Sequence, residues 1–283
     1  MKLSELRSEC ILMLLKEEIE RPFYVVDLII SKVLDIERAL LITKDEEEIP
    51  ATKCAGILSM IDKRSKRVPL SYILGESEFY GRPFEVGVGC LIPRPETELL
   101  VEEMLRACPD ASNFADWCTG SGCIGLTLLL ENDNLFGYGV DSSQEALNWA
   151  VLNTRKYKLE SRFNLMLNSD PAHCGIKPGS LDFIVSNPPY IPSKDLEGLM
   201  SDVKGHEPIV ALDGGEDGAD LYRLFFTHFP RLLKDGGLMG FEIAGDEQAK
   251  ILLSIAPGDF VLINKVCDYN GILRHLTWKK NSK

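Results

Sequence analysis

The sequence lacks the features that mark membrane-spanning and secreted chains. Its 283 residues contain no uninterrupted apolar run of about 18 residues, which is roughly the length that a membrane-spanning helix requires. The first residues do not form a basic region followed by an apolar stretch and a cleavage site, so they do not resemble a secretory signal. We therefore expect a cytoplasmic protein with no membrane partner.

The cysteines do not follow a metal-binding pattern. Eight are present, but none forms a Cys-x-x-Cys pair, and no cysteine and histidine spacing suits zinc. We expect no metal site, and we interpret the cysteines as reduced, mostly buried thiols. The chain also has no internal repeat and no low-complexity tract.

Positive charge is scarce relative to negative charge. The chain has 31 lysines and arginines against 43 aspartates and glutamates, a formal net charge of −12. A molecule of that sign is repelled by a phosphate backbone, which argues against a direct nucleic-acid substrate. One basic run, Lys63–Arg67, is interpreted as a solvated helix end, with a local nucleic-acid patch as the alternative.

Hydrophobic spacing divides the chain into three parts. Apolar residues in 1–75 recur at helical spacing, and prolines mark helix starts, so this part is predicted to be a helical bundle. Residues 76–92 contain short extended pieces punctuated by glycines and a proline, which favours a β-hairpin linker. Residues 93–283 form the remaining domain.

Strand-like and helix-like segments alternate through this last part. The alternation predicts the α/β class, with a doubly wound, mostly parallel seven-stranded sheet that binds ligands at the carboxyl ends of its strands. A short turn at Asn270-Gly271 predicts that one of the last two strands runs antiparallel. The strands are predicted near 114–118, 136–141, 163–167, 181–186, 237–243, 259–266 and 272–277, and the helices near 95–107, 122–131, 143–157, 219–234 and 246–255.

A glycine-rich turn follows the first of these strands. Gly120, Gly122 and Gly125 spell G-x-G-x-x-G between a strand and a helix, where a ligand can approach the backbone and the free N–H groups of the helix. The same pattern suits a dehydrogenase dinucleotide or a purely structural turn. The turn alone therefore does not select a function.

Aspartates follow the next two strands. Asp141 ends the second strand, where its carboxylate could accept hydrogen bonds from two ribose hydroxyls. Alternatively, Asp141 only favours the positive end of the next helix, which a capping box from Ser142 to Glu145 would start. Asp170 follows the third strand, where it either approaches an adenine ring or forms a turn.

The tetrapeptide Asn187-Pro188-Pro189-Tyr190 follows the fourth strand and indicates the chemistry. The prolines fix φ and confine Asn187 to extended geometry, so the loop is stiff before a substrate arrives. The Asn187 side-chain oxygen and the Pro188 carbonyl can accept hydrogen bonds from a planar amide or aryl-amine N–H, while Tyr190 offers an aromatic face.

These acceptors suit transfer of a methyl group to nitrogen. An amide nitrogen is a poor nucleophile, and acceptors aimed at its N–H groups stabilise the positive charge that develops during transfer. Alignment contributes further, and no general base need act beforehand. The sequence thus predicts an S-adenosylmethionine-dependent N-methyltransferase, with a dehydrogenase and a non-catalytic cofactor-binding scaffold as alternatives.

The chain resembles a known family, the peptide chain release factor glutamine methyltransferases. The resemblance covers most of the sequence and is most specific in the segment Leu91–Glu98, Leu-Ile-Pro-Arg-Pro-Glu-Thr-Glu, which we call the signature segment. It also includes Pro69–Gly75 and the tetrapeptide. The tetrapeptide occurs in adenine-N6 DNA methyltransferases too, so an adenine or guanine N-methyltransferase acting on nucleic acid is the competing interpretation.

The resemblance implies a substrate, a fold and a set of site residues. The implied substrate is the glutamine of the Gly-Gly-Gln loop in class I release factors, which the helical domain helps to bind. The implied fold is the class I S-adenosylmethionine methyltransferase fold. Implied cofactor-binding residues are Cys118, Thr119, Gly120, Ser121, Gly122, Asp141, Asp170 and Asn187, and the implied catalytic residues are Asn187, Pro188, Pro189 and Tyr190.

Overall fold

A computed structural model describes residues 1–282 of the chain. These residues divide into two compact units, one formed by Met1–Glu76 with Met200–His206, and the other by Ser77–Leu199 with the chain from Glu207 onward. All eight cysteines are free, and of these only Cys267 is exposed. Within residues 1–282, no helix combines the length and apolarity needed to cross a bilayer.

The first unit is built from helices. Apolar residues at helical spacing bury one side of each long helix, and the buried sides share a single apolar core. The second helix begins at Pro22 and the third directly after Pro50, where proline suits a first turn. The helices are α1 (Leu3–Lys16), α2 (Pro22–Leu34), α3 (Ala51–Ser65) and α4 (Leu70–Leu74).

The basic run at the end of α3 is more ordered than a solvated helix end. Arg64 is buried, and its guanidinium pairs with Asp202 at 2.6 Å. Arg67 donates to the backbone carbonyl of Glu17 at 2.9 Å. Lys66 forms an exposed pair with Asp62 at 2.7 Å. Three of the four basic side chains therefore have partners in the first unit, and the solvated interpretation holds only in part.

The predicted hairpin is shorter than residues 76–92. Its strands are β1 (Glu76–Phe79) and β2 (Arg82–Glu85), and the residues after it are irregular. A Cβ atom at Gly87 would lie 2.4 Å from the ring of Trp149, whose indole N–H donates to the Val88 carbonyl at 3.1 Å. The residues after β2 are therefore fixed by close packing against the helix that carries Trp149, and not by pairing with another strand.

The second unit contains the predicted doubly wound sheet, which is confirmed. Its strand order is β5-β4-β3-β6-β7-β9-β8, with β3 to β7 parallel and β9 antiparallel to both of its neighbours. The strands are β3 (Asn113–Trp117), β4 (Phe136–Asp141), β5 (Phe163–Leu167), β6 (Leu181–Ser186), β7 (Leu233–Glu242), β8 (Phe260–Cys267) and β9 (Leu273–Lys280).

Helices connect these strands, and one differs clearly from its predicted length. The helix predicted over 219–234 ends at His228 and continues only as a 3-10 turn around Pro230, because a proline cannot extend a helix. β7 therefore starts at Leu233 rather than near 237. The helices are α5 (Glu98–Ala107), α6 (Cys123–Glu131), α7 (Gln144–Lys156), α9 (Asp220–His228) and α10 (Asp246–Ile255), while the short α8 (Ser201–Lys204) belongs to the first unit although it lies between β6 and β7 in the sequence.

Aromatic side chains fill the core around the first central strand. Phe114, near the start of β3, stacks on Phe183 with ring centroids 5.2 Å apart. Trp117, the last residue of β3, packs on Phe229 at 5.0 Å, and Phe229 stacks on Phe225 at 4.4 Å. Both ends of β3 are thus fixed by ring packing, which holds the turn that follows Trp117.

Candidate active site

The glycine turn between β3 and α6 is fastened by a buried carboxylate. One oxygen of Asp116 accepts hydrogen bonds from the Thr119 hydroxyl at 2.6 Å and from the Gly125 N–H at 3.0 Å. Burial raises the pKa of Asp116 to about 7, although both hydrogen bonds favour the charged form. The turn therefore has a fixed shape, which includes the left-handed backbone of Cys118 and Gly120.

Asp141 joins the end of β4 to this turn. One of its oxygens accepts from the Gly120 N–H at 2.9 Å, and the other accepts from the Ser143 N–H at 2.9 Å. Burial raises its pKa above the ordinary range. Each carboxylate oxygen keeps a lone pair after one hydrogen bond, so this residue of the cavity wall can still accept ligand hydroxyls.

The expected capping box over Ser142 and Glu145 is wrong by one residue. The N-cap of α7 is Ser143, whose hydroxyl accepts from the Ala146 N–H at 3.2 Å. The Glu145 side chain instead lies against Gly89, where a Cβ atom would come within 2.5 Å of its carboxylate. Asp141 stays close to the start of α7 through Ser143, so the helix-end and the ligand-binding interpretations of this residue are compatible.

The tetrapeptide begins where β6 ends beside β3. The Ser186 hydroxyl, buried, donates to the Trp117 carbonyl at 2.5 Å, which ties the strand before the tetrapeptide to the strand before the glycine turn. The side-chain N–H of Asn187 donates to the Thr97 hydroxyl oxygen at 3.1 Å, and that hydroxyl donates to Glu242 at 2.6 Å. Thr97 belongs to the signature segment, so the two motifs meet here.

Tyr190 has a different environment from the aromatic face that we expected. Its hydroxyl donates to Glu242 at 3.2 Å, and its ring packs against the apolar core rather than lining the cavity. Burial, followed by the charge of Glu242, raises its pKa well above the ordinary value. Its backbone carbonyl accepts from Gln248 at 3.1 Å. Tyr190 thus anchors the end of the tetrapeptide.

Arg94 of the signature segment binds Glu207, the residue directly before the segment 208–215, which we call the outer wall of the cavity. Its guanidinium donates to Glu207 at 2.6 Å, and the other oxygen of Glu207 accepts from the Ile92 N–H at 3.0 Å. The Glu207 side chain is only 2% exposed. Residues 208–215, which follow it, supply several wall residues.

These elements enclose one cavity of about 430 Å³, a size typical of small-molecule sites. Its wall contains one basic residue, Arg94, and three acidic residues, Asp141, Asp213 and Asp220. Three acids against one base give a negative potential that favours a cationic ligand.

The structure brings most predicted site residues to this cavity. Those in its wall are Cys118, Thr119, Gly120, Ser121, Asp141, Asn187 and Pro189. Gly122 is the N-cap of α6, and Pro188 and Tyr190 lie outside the wall. Asp170 also lies outside it, because its carboxylate caps a 3-10 turn through Ala172 at 2.8 Å and pairs with His173 at 2.7 Å. Its neighbour Ser169 lines the cavity instead.

Sequence reasoning missed two buried acidic residues of this region. Glu242 and Asp116 are each at most 1% exposed, and each accepts two side-chain or backbone hydrogen bonds. Both carried a readable signal, since an acidic residue inside or at the end of an otherwise buried strand needs a partner.

The comparisons with known proteins agree with this architecture. Residues 5–75 match the family model described as PrmC N-terminal domain, and residues 95–201 match that of the methyltransferase small domain. The structure of P. horikoshii TYW2 in complex with MeSAdo is similar in fold, with a TM-score of 0.50 and 12% identity over 74% of this chain and 71% of that chain. Together with the matched methyltransferase model, this fold and its cavity place the chain among the S-adenosylmethionine-dependent methyltransferases.

Curated relatives narrow the class. The release factor glutamine methyltransferase of Clostridium acetobutylicum is 38% identical over 259 residues, which cover 89% of this chain and 90% of the relative. That of Bacillus cereus is 38% identical over 254 residues, covering 87% and 88%. The chain belongs to the release factor glutamine methyltransferase family.

Proposed function

We propose that this protein transfers a methyl group from S-adenosylmethionine to the side-chain amide nitrogen of the glutamine in the Gly-Gly-Gln loop of class I peptide chain release factors. The observation that carries the proposal is the shared cavity: Asn187 and Pro189 of the tetrapeptide line the same wall as Gly120 and Asp141. The loop that would bind the substrate amide and the turn that would bind the cofactor therefore face the same cavity.

The residues of the cavity fit the cofactor by their chemistry. When bound, S-adenosylmethionine supplies a methyl group on a positively charged sulfonium. Asp141 keeps acceptor capacity for ribose hydroxyls, and the acidic wall suits a positive charge. Cys118 to Gly122 form the turn at the start of α6, where backbone N–H groups favour polar ligand atoms. Asp170 is the predicted contact with the weakest support.

The tetrapeptide fits the nitrogen that receives the methyl group. The Asn187 side-chain oxygen, which belongs to a wall residue, would accept a hydrogen bond from the glutamine amide, fix its plane, and stabilise positive charge as it develops on nitrogen. The Pro188 carbonyl is the second acceptor that the family resemblance implies, although Pro188 itself does not line the cavity. Because the loop and its neighbours are held by Ser186, Gln248 and Glu242, these acceptors need not reorganise during the reaction.

The three parts of the chain have different roles in this proposal. The helical part, residues 1–75, recognises the substrate protein, residues 76–92 link, and residues 93–283 catalyse. Support comes from the curated relatives, which carry the name release factor glutamine methyltransferase and match this chain along nearly their whole length. A cytoplasmic location, where release factors act, and the absence of a direct nucleic-acid substrate remain parts of the proposal.

A labelling experiment tests the assignment. The protein is incubated with radiolabelled S-adenosylmethionine and a class I release factor, either wild-type or with the Gly-Gly-Gln glutamine changed to alanine. We expect label in the wild-type factor alone, located by peptide mass spectrometry on the glutamine. Label in both factors or in neither would contradict the proposal. Parallel tubes with duplex DNA and structured RNA test the adenine or guanine N-methyltransferase alternative, which requires label in nucleic acid.

A further inference from the structure

A buried chain of hydrogen bonds connects the tetrapeptide to the end of β7. The Asn187 side-chain nitrogen donates to Thr97 at 3.1 Å, and the Thr97 hydroxyl donates to Glu242 at 2.6 Å. Thr97 is 2% exposed and Glu242 is 1% exposed. Water therefore has little access to Thr97 or Glu242, and the order of donors and acceptors is set by these side chains.

The direction of this chain follows from the chemistry of its last member. A carboxylate oxygen has only lone pairs, so the Thr97 hydroxyl must point its proton towards Glu242. The Thr97 oxygen then has only lone pairs left, and it selects the NH₂ group of Asn187 rather than the side-chain oxygen. The Asn187 oxygen is consequently turned away from Thr97.

This orientation decides what the tetrapeptide can bind. The two ends of an asparagine amide have nearly the same shape, so packing alone hardly distinguishes them. With the oxygen outward, Asn187 accepts from the N–H of a glutamine amide. Rotated by half a turn, it would present N–H groups to that amide and would instead suit a carboxylate.

We propose that Thr97 and Glu242 are positioning residues that fix the polarity of the Asn187 amide, and that they thereby make the site selective for a glutamine amide over a glutamate carboxylate. The inference rests on the proposed function for the identity of the substrate. The orientation of the Asn187 amide towards Thr97 does not depend on which substrate is bound.

Two tyrosines hold Glu242 in place. Its second carboxylate oxygen accepts from the Tyr190 hydroxyl at 3.2 Å, and its backbone carbonyl accepts from the Tyr222 hydroxyl at 2.5 Å. The His275 ring, completely buried, lies with Nε2 3.5 Å from the oxygen that Thr97 contacts and has no hydrogen-bond partner among the described residues. Glu242 therefore presents a fixed acceptor to Thr97, as a polarity reference requires.

The central variant is Thr97→Val, which keeps the shape of the side chain and removes the hydroxyl. Thr97→Ser restores the hydroxyl, and Thr127→Val makes the same chemical change at a buried hydroxyl for which the described residues provide no hydrogen-bond partner. For Thr97→Val we expect kcat on the release factor to fall roughly 10- to 100-fold, with KM for S-adenosylmethionine little changed. Thr97→Ser should recover most of the rate, and Thr127→Val should match wild type.

A second measurement reads the polarity itself. A release factor with glutamate in place of the Gly-Gly-Gln glutamine is used as a competitive inhibitor. The measured quantity is the affinity for the glutamate form divided by the affinity for the glutamine form. We expect this ratio to be roughly tenfold higher in Thr97→Val than in wild type, because a freed Asn187 can turn its N–H groups outward. A loss of kcat without any change in this glutamate-to-glutamine ratio would contradict the inference, as would an unchanged kcat.

A substrate-free measurement separates this inference from the proposed function. The side-chain NH₂ resonances of Asn187, assigned by their loss in Asn187→Ala, should shift and exchange faster with solvent in Thr97→Val but not in Thr97→Ser. Unchanged resonances would refute the polarity mechanism even in an active enzyme. Failure of the wild-type protein to label any release factor would instead refute the proposed function, whatever the resonances show.

Discussion

Arg94 donates a hydrogen bond to Glu207 across 2.6 Å, although the two residues lie 113 positions apart in the sequence. The same carboxylate accepts from the Ile92 N–H, so the signature segment binds the residue that precedes the outer wall of the cavity. This contact gives the most specific sequence motif a physical role. The motif shapes the active site by holding another segment in place.

Removing Arg94 should loosen that wall. Arg94→Ala leaves the nearly buried Glu207 carboxylate with only the Ile92 N–H, which should lower the free energy of unfolding by about 2 kcal/mol. It should also speed protease cleavage near residues 207–215. Urea denaturation and limited proteolysis measure the two effects. The matched control is Arg223→Ala, whose pair with Asp217 is exposed and should contribute under about 1 kcal/mol. Equal effects at both sites would contradict the assigned role.

Removing the Asn187 amide should slow catalysis strongly without unfolding the protein. Asn187→Ala deletes one acceptor for the substrate amide, and we expect kcat to fall by roughly 100-fold or more while thermal stability changes little. Steady-state kinetics with a release factor and a melting curve measure both quantities. Asn164→Ala, the same change at an exposed position of β5, serves as the control. A fully active Asn187→Ala enzyme would remove the tetrapeptide from the mechanism.

A side chain at Gly218 should collide with the backbone of the tetrapeptide. A Cβ atom there would come within 2.4 Å of the Tyr190 carbonyl oxygen, and the residue has φ of +78°. Gly218→Ala should therefore displace Tyr190 and lower kcat by roughly tenfold or more. Gly179 has φ of +64° with nothing within 4 Å of such a Cβ atom.

Comparing these two glycines separates backbone strain from displacement. Both alanine variants should lose about 1 kcal/mol of unfolding free energy from left-handed strain. Only Gly218→Ala should also lose turnover, measured with a release factor under saturating cofactor. If Gly179→Ala lost as much activity, general destabilisation would explain the result and the contact with Tyr190 would not.

Asp116 should make stability depend on pH near neutrality. Its pKa is raised by burial from 3.8 to about 7, so between these values the folded protein holds a proton that the unfolded chain has lost. The unfolding free energy should therefore fall as pH rises from about 4 to about 7, by up to about 4 kcal/mol from this group. Above that pH the contribution levels off.

The variant Asp116→Asn isolates this effect. Its side-chain oxygen can still accept from Thr119 and Gly125, but it does not titrate. Urea denaturation of both proteins at several pH values gives the difference. The wild-type protein should lose stability relative to the variant as pH rises through the window. Parallel curves would show that the Asp116 carboxyl keeps an ordinary pKa.

Residues with local patterns were predictable. Leu181–Ser186 reads as a buried strand, and the glycine turn after Trp117 lies where the alternation of strands and helices expects it. The end of α9 was misjudged because Pro230 stops the helix while apolar residues continue beyond it. Asp170 was assigned by its position after a strand, but its hydrogen bonds to Ala172 and His173 keep it in a local turn.

The order of elements and the motifs at the strand ends could be read without a structure, because both follow from periodicity and backbone chemistry over a few neighbouring residues. The hydrogen-bond partners could not: Arg94 pairs with Glu207, and Asn187 is linked through Thr97 to Glu242. Such pairs join residues about 90 to 145 positions apart. Their hydrogen bonds depend on burial and on side-chain direction, which exist only after the sheet has assembled.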